Sequence, residues 1–202
     1  MLFDLSQVAE GIGYKLMTAT VTPRPIAWVT SLGATGVLNL APYSFFNAMG
    51  GAPPVLALGL QRGPDGGPKD TARNIEALGE FVVNLVPESM VAAMSLSSKA
   101  MPPEVSEVEA AGLATSPSTQ ITVPRLTDSP VAFECRTLQI VETGPEQRLV
   151  IGSVLAVHIA DRFVLDAARG HVDTAALGLI ARMHGAGWYA RTTDLFEHAR
   201  PA

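Results

Sequence analysis

The fold is decided by one stretch of the chain, Thr22-Pro23-Arg24-Pro25-Ile26-Ala27-Trp28-Val29-Thr30-Ser31. Its second half is apolar, rich in β-branched and aromatic residues, and entered from a proline, a pattern typical of a β-strand. Two hydroxyl side chains and a glycine-containing turn at residues 31–36 follow. We therefore predict a strand over residues 26–32 that ends in a polar turn.

A second extended run follows this turn, Asn39-Leu40-Ala41-Pro42-Tyr43-Ser44-Phe45-Phe46-Asn47. Proline lacks a backbone N–H and is confined to edge strands or bulges. We predict that a strand over residues 37–46 lies at a sheet edge, with unpaired backbone groups around Pro42.

A third segment begins at Lys69-Asp70-Thr71, where Asp70 is predicted to cap a helix that Gly79 ends. A helix N-terminus beside a lysine and hydroxyl side chains is chemically suited to bind a phosphate. The same residues also fit an ordinary capped helix with a solvated lysine, and the Asp70 carboxylate would repel a phosphate.

Composition indicates a globular protein with a large core, since 48% of the 202 residues are hydrophobic and 16% are charged. The net charge of −5 without a basic cluster argues against a nucleic-acid-binding surface. The mean hydropathy of +0.26 suggests burial against a second subunit.

The single cysteine, Cys135, cannot form an internal disulfide and is predicted to be buried. No signal peptide or apolar run of about 20 residues is present, so we expect a cytoplasmic protein without a membrane anchor.

Short apolar runs with long connections predict one antiparallel barrel domain spanning residues 1–202 rather than a βαβ fold. Further strands are predicted at residues 55–60, 81–86, 130–141, 149–159 and 163–166. Helices are predicted at residues 8–19, 72–78, 88–97, 104–111 and 173–181. Residues 62–68 and 142–148 are predicted loops, and residues 99–119 a mobile segment that could form a lid.

The three segments quoted above, together with a segment near the end of the chain that we call the tail, resemble the flavin-reductase-like, FMN-binding split-barrel family. This family includes flavoredoxins and NAD(P)H:flavin oxidoreductases. The tail reads Arg182-Met183-His184-Gly185-Ala186-Gly187-Trp188-Tyr189-Ala190-Arg191. The motifs occur in the family's order from about Thr22 to about Phe196. The resemblance implies a mainly β fold: an antiparallel Greek-key split barrel with a few peripheral helices, which forms a homodimer.

The resemblance also implies a set of residues that bind FMN. It places Lys69, Asp70 and Thr71, with Thr30 and Ser31, near the phosphate or ribityl chain. It implies that the isoalloxazine ring lies along a segment of small and polar residues: Asn39, Ala41, Pro42, Tyr43 and Ser44. Arg24 would contact the flavin or the partner subunit, although a salt bridge explains it equally well. Arg182 would supply positive charge near the reduced ring.

The implied activity is an FMN-dependent oxidoreductase that passes hydride from NAD(P)H to flavin and onward to a small-molecule or protein acceptor. Hydride transfer requires no acid or base side chain, so we predict no catalytic residue. We also predict no metal site, since no metal-ligand spacing occurs. The Gly-Asp-His of many short flavin reductases is absent near Gly144-Pro145-Glu146-Gln147-Arg148. An electron carrier without its own NAD(P)H activity therefore remains an alternative, and a pyridoxine-phosphate-oxidase relative is a third.

Overall fold

The computed structural model describes residues 1–63, 66–145, 147–199 and 201. Its strands are β1 (Arg24–Pro25), β2 (Ala27–Leu32), β3 (Leu38–Tyr43), β4 (Phe46–Gly51), β5 (Pro54–Leu60), β6 (Glu80–Leu85), β7 (Thr115–Ser116), β8 (Arg125–Leu126), β9 (Val131–Gly144), β10 (Gln147–Ile159), β11 (Val164–Asp166), β12 (His171–Val172), β13 (Ile180–Arg182) and β14 (Tyr189–Arg191). Its α-helices are α1 (Ile12–Thr20), α2 (Asp70–Leu78), α3 (Val91–Leu96) and α4 (Glu107–Ala110). Single 3₁₀ turns lie at Glu88–Met90 and Asp161–Phe163.

Seven strands form one sheet in the order β3-β2-β6-β9-β10-β5-β4, and each neighbouring pair is antiparallel. The predicted mainly β, antiparallel architecture with a few peripheral helices is therefore confirmed. In the described part of the chain, no helix is long and apolar enough to cross a membrane.

Strand β2 runs through the middle of the molecule and faces a core on both sides. Ala27 and Val29 lie in a cluster that includes Ala72 and Ile75 of helix α2, whereas Trp28 packs in a second cluster on the other face. Successive side chains of a strand point to opposite faces, so the apolar run is buried on both sides. Packing through Ala72 and Ile75 holds the first turn of α2 against this sheet.

Strand β3 is the free edge of the sheet, as the proline in it predicted. The backbone groups of Leu38 and Leu40 point away from β2: the Leu38 carbonyl accepts from Ser106 Oγ at 2.6 Å, and the Leu40 N–H donates to Glu107 Oε2 at 3.0 Å. Pro42 continues this outward row, so its missing N–H removes no bond of the ladder.

The contacts of Ser106 and Glu107 also locate the segment predicted as a mobile lid. It is fixed to the β3 edge by the start of α4, and Val108 is buried in the core behind it. The helix is shorter than predicted and ends before Gly112, whose φ is +64°. Pairing of β7 with β8 holds the rest of the segment.

Two predicted elements were wrong. Residues 173–181 form turns and the start of β13 rather than a helix, because Gly178 adopts a φ of +59° and β13 pairs with both β1 and β14. The predicted strand 37–46 divides into β3 and β4, and the Gly59 N–H donates to the carbonyl of Phe45 between them at 2.6 Å. Positions within the predicted loops 62–68 and 142–148 lie outside the described residues.

Candidate functional site

The N-terminus of α2 offers unpaired N–H donors. Asp70 is the first helical residue rather than the N-cap; Lys69 occupies the cap position, and no side chain of a described residue caps the helix. The predicted cap at Asp70 was therefore wrong, because its carboxylate pairs instead with the Arg73 guanidinium one turn on. The Ala72 and Arg73 N–H groups bond to the Lys69 carbonyl, whereas those of Asp70 and Thr71 have no partner in the described chain. Such donors attract an anion.

Lys69 adds a positive charge at the same point. Its ammonium lies 5.5 Å from the centroid of the Tyr43 ring, within cation–π range. Desolvation lowers the pKa of Lys69 from its ordinary value. No carboxylate among the described residues forms a salt bridge with it. An unpaired cation next to unpaired helix donors is the charge pattern that a phosphate complements.

A hydrogen-bond network of buried side chains links α2 to the sheet. Asn39 Nδ2 donates to Thr71 Oγ1 at 2.8 Å and to Ser31 Oγ at 3.3 Å, and Asn74 Nδ2 donates to the same serine at 3.2 Å. Ser31 and Thr71 are almost completely buried. The network fixes the register of the first turn of α2 against β2 and β3, so its free N–H groups keep one orientation.

Tyr43 is the buried polar group without a partner at this site. The residue is 7% exposed, and its hydroxyl makes no hydrogen bond with any described residue, although the Thr71 hydroxyl is its neighbour. Burial raises the pKa of Tyr43 to about 12; the neighbouring Thr71 hydroxyl acts against burial, and the carboxylates of Glu107 and Asp70 act with it. A buried hydroxyl without a partner is uncommon and costs stability.

The first turn of α2 opens into a space that we call the helix cavity, of about 440 Å³. Six of the predicted residues line it: Asn39, Ala41, Tyr43, Lys69, Asp70 and Thr71. The opposite wall comes from residues 97–107, the segment fixed to the edge of β3. This volume lies in the range of small-molecule sites.

A second space of about 220 Å³, which we call the tail cavity, lies beyond the end of β3. Four predicted residues line it: Pro42, Tyr43, Ser44 and Arg182. Tyr43 and Ser98 belong to both cavities, so the two spaces adjoin along β3. The Arg182 guanidinium lies 5.0 Å from the centroid of the Tyr189 ring and donates to the Gly185 carbonyl at 3.0 Å.

Arg24 lies behind the tail cavity and supports it. Its guanidinium donates to the carbonyls of Thr18 and Val21, at the end of α1, and to that of Met183 in the tail. Its Nε donates to Ser44 Oγ at 3.3 Å. Arg24 is 6% exposed, and it makes no salt bridge with the described residues. Its contacts hold Ser44 and the tail in place instead.

The side chain of Thr30 lines neither cavity. Its hydroxyl donates to the carbonyl of Pro124 at 2.8 Å, on the face of β2 opposite to Ser31. Adjacent strand residues point to opposite faces, so Thr30 and Ser31 cannot line one pocket with their side chains. Ser31 contributes indirectly, because its hydroxyl accepts hydrogen bonds from the side-chain amides of Asn39 and Asn74.

Several residues of the cavity walls were missed by the sequence reasoning. Arg73, Ser98, Lys99 and Glu107 line the helix cavity, and Tyr14 lines the tail cavity. The run of serines and a lysine at the end of α3, at residues 95–99, was the local signal that could have pointed to a polar wall. Burial raises the pKa of Glu107, the carboxylate that accepts from the β3 edge.

The arrangement can bind an elongated ligand that carries an anion at one end and a planar polar group at the other. The helix donors and Lys69 fit a phosphate. The open edge of β3 near Pro42 and the guanidinium of Arg182 fit a planar group with hydrogen-bonding atoms along one side. No cluster of His, Cys, Asp or Glu that could hold a metal occurs in the described chain.

Comparisons with known proteins agree with this picture. Residues 18–175 match the family described as "Flavin reductase like domain". Nitrilotriacetate monooxygenase component B from Bacillus cereus is 35% identical, with a TM-score of 0.92, and the match covers 98% of each chain. The 2-nitrobenzoate 2-nitroreductase NbaA from Pseudomonas fluorescens is also 35% identical, with a TM-score of 0.90, over 100% of this chain and 96% of that one.

A more distant structure identifies the architecture. A split barrel domain protein from Shewanella frigidimarina NCIMB 400 superposes with a TM-score of 0.83 at 20% identity, and each chain is covered completely, at 100%. At this identity the likeness concerns the fold alone. It confirms the split barrel that the sequence predicted.

Proposed function

Since the chain belongs to the flavin reductase-like family, we propose that it is an FMN-binding oxidoreductase that takes hydride from NADH or NADPH. The observation that carries the proposal is the pair of free N–H donors at the start of α2, beside the unpaired Lys69 at the wall of the helix cavity. These groups have the chemistry to bind the FMN phosphate. When bound, FMN would accept a hydride, with its two electrons, and pass the electrons to a second acceptor.

The protein's own contribution is to hold the cofactor and tune its surroundings. Lys69 and the N–H groups of Asp70 and Thr71 would bind the phosphate, and Asn39 would keep that turn in register. Pro42, Tyr43 and Ser44 would lie along the ring, whose polar edge meets backbone groups that β3 leaves unpaired. Arg182 would stabilise negative charge near the ring, with Tyr189 fixing the position of its guanidinium.

The second part of the proposal concerns the electron acceptor that reoxidises the flavin. The 35% identical Bacillus cereus protein is a monooxygenase component, so we take a second protein that consumes reduced flavin as the first acceptor class. The Pseudomonas fluorescens relative is a nitroreductase, which makes a nitroaromatic compound the small-molecule candidate. Oxidation of NADH in the presence of free FMN, compared with oxidation in the presence of 2-nitrobenzoate, separates the two classes.

The test of the core proposal is spectroscopic. We expect purified protein to be yellow or to become so with FMN, and we expect NADH or NADPH to bleach the visible flavin absorbance under anaerobic conditions. Bleaching by dithionite but by neither nicotinamide would favour an electron carrier. A protein that stays colourless and takes up no FMN would refute the proposal.

We include a homodimer in the proposal, as the family resemblance implies. Large apolar side chains of the β9–β10 hairpin support it: Leu138, Leu155 and Val157 are 58%, 38% and 49% exposed. Exposed apolar side chains grouped on one element mark an interaction surface more often than isolated ones do. Sedimentation equilibrium at micromolar protein is expected to give twice the mass of one chain; the mass of one chain would contradict the dimer.

A further inference from the structure

An apolar groove of about 210 Å³, which we call the proline groove, lies between β1, the end of β6 and β13. Its lining includes Pro23, Pro25, Leu85, Leu179 and Ala181. Small-molecule sites combine apolar walls with a few placed polar groups. Among the described residues, only Thr192 adds a polar side chain to the groove, and its hydroxyl is already bonded. The proline groove therefore suits an apolar side chain of a protein rather than a polar ligand.

The chain leaves the fold at one end of this groove. The N–H and the hydroxyl of Thr192 both donate to the Leu179 carbonyl, at 3.3 and 2.9 Å. Residues 193–199, which we call the arm, follow and are all exposed. They make no hydrogen bond or salt bridge with any described residue. The arm carries two adjacent apolar side chains, Leu195 and Phe196, which are 66% and 92% exposed. Grouped apolar side chains on the surface mark a segment that binds another surface.

The direction of β14 decides which groove the arm can enter. Strand β14 runs antiparallel to β13 and pairs Arg191 with Ile180. At Thr192 the chain therefore moves away from Ala181, which pairs with Pro25 of β1 farther along the groove. The arm would have to reverse its direction to enter the groove of its own chain, whereas the arm of a second copy needs no such reversal.

We propose that the arm of one copy of this chain docks in the proline groove of a second copy, where Leu195 and Phe196 fill the groove. A twofold dimer occupies both grooves, because each copy gives one arm and accepts one. Ile26 lines both the proline groove and the tail cavity, so a docked arm would support one wall of the tail cavity. The inference rests on the homodimer of the proposed function and is independent of the flavin chemistry.

The first test compares two double variants of the full-length protein by sedimentation. Leu195→Ser with Phe196→Ser removes the apolar pair. Asp194→Ser with Glu197→Ser is the matched control, because it changes two exposed residues of the same arm and leaves the pair intact. We expect the first variant to dimerise about tenfold more weakly or worse, and the control to stay within about twofold of the unmodified protein. Unchanged dimerisation of the first variant, or an equal loss in both, overturns the inference and leaves the homodimer standing. A monomeric unmodified protein overturns both.

Disulfide trapping identifies the groove and the copy to which the arm belongs. Pro25→Cys and Glu197→Cys are made in separate chains, mixed and oxidised; the native Cys135 is buried. We expect a disulfide between the two variants, which mass spectrometry of the linked peptides identifies. Ala92→Cys on α3 replaces Pro25→Cys in the control, because Ala92 is exposed and does not line the groove. No link between the mixed chains, or an equally efficient link to the Ala92→Cys chain, overturns the inference. So does a chain carrying both Pro25→Cys and Glu197→Cys that links only to itself.

Discussion

Replacing Lys69 by alanine tests the phosphate end of the site most directly. The ammonium lines the helix cavity, has no salt bridge with the described residues, and lies next to the unpaired N–H groups of Asp70 and Thr71. Removing it leaves the network of Asn39 and Ser31 untouched. The substitution therefore removes charge without displacing α2.

The expected loss of FMN affinity follows from the kind of bond that Lys69→Ala removes. A charge-assisted hydrogen bond contributes about 1.5–3 kcal/mol, which corresponds to a loss of about ten- to a hundredfold in affinity. Solvent reaches the mouth of the cavity, and screening weakens exposed charge pairs. We therefore expect Lys69→Ala to weaken FMN binding at the lower end of this range, about tenfold.

The assay compares FMN with riboflavin, which carries the same ring without the phosphate. Quenching of flavin fluorescence gives both dissociation constants at low salt. Lys69→Ala is expected to weaken FMN binding and leave riboflavin binding unchanged. Lys69→Arg is expected to retain most of the FMN affinity, because it keeps the charge. Lys15→Ala, at an exposed lysine of α1 that lines neither the helix cavity nor the tail cavity, is the matched control.

Two results would refute the reasoning. Unchanged FMN affinity in Lys69→Ala would remove the ammonium from the phosphate site. An equal loss for FMN and riboflavin would show that the substitution acts through the ring or the fold rather than through the phosphate.

Tyr43→Phe removes a buried hydroxyl that lacks a partner, so the unfolding free energy of the apoprotein in urea is expected to rise by about 1 kcal/mol; a less stable apoprotein would contradict this. Because the pKa of Tyr43 is raised in the folded state, the Tyr43 hydroxyl loses its proton at lower pH in the unfolded chain. Stability is therefore expected to fall as the pH rises from about 10 to about 12. Tyr43→Phe should not show this fall. Glu107→Ala leaves the Leu40 N–H unpaired and is expected to cost about 1–3 kcal/mol, whereas Glu107→Gln keeps an acceptor oxygen and should cost little at pH 7; equal losses would exclude this bond as the cause. Glu134 is completely buried, and burial raises its pKa, but hydrogen bonds from His158 and the backbone outweigh burial and lower the pKa. The contribution of Glu134 to stability is therefore present at neutral pH and is lost as the pH falls through its folded-state pKa. Glu134→Gln should cost about 3 kcal/mol at pH 7 and flatten the acid side of the stability profile, and an unchanged profile would argue against it.

The sequence by itself determined the features that depend on neighbouring residues. The apolar run of β2, the edge position of the strand that contains Pro42 and the glycine end of α2 all follow from local backbone preferences. The helix start supplied three of the six predicted residues that line the helix cavity, namely Lys69, Asp70 and Thr71. The opposite orientations of Thr30 and Ser31 follow from strand alternation too, although the prediction assigned both side chains to one pocket.

The tertiary structure alone decided which distant residues meet. Glu107 covers the β3 edge from another part of the chain, and Arg24 is bonded to carbonyls of α1 and the tail rather than to an acidic side chain. The segment at residues 173–181 had a helical pattern, yet β13 formed there because its partners β1 and β14 offer backbone bonds and burial that a helix would forfeit. Local propensities are worth at most about 1 kcal/mol per residue, so long-range pairing and burial override them wherever the two conflict.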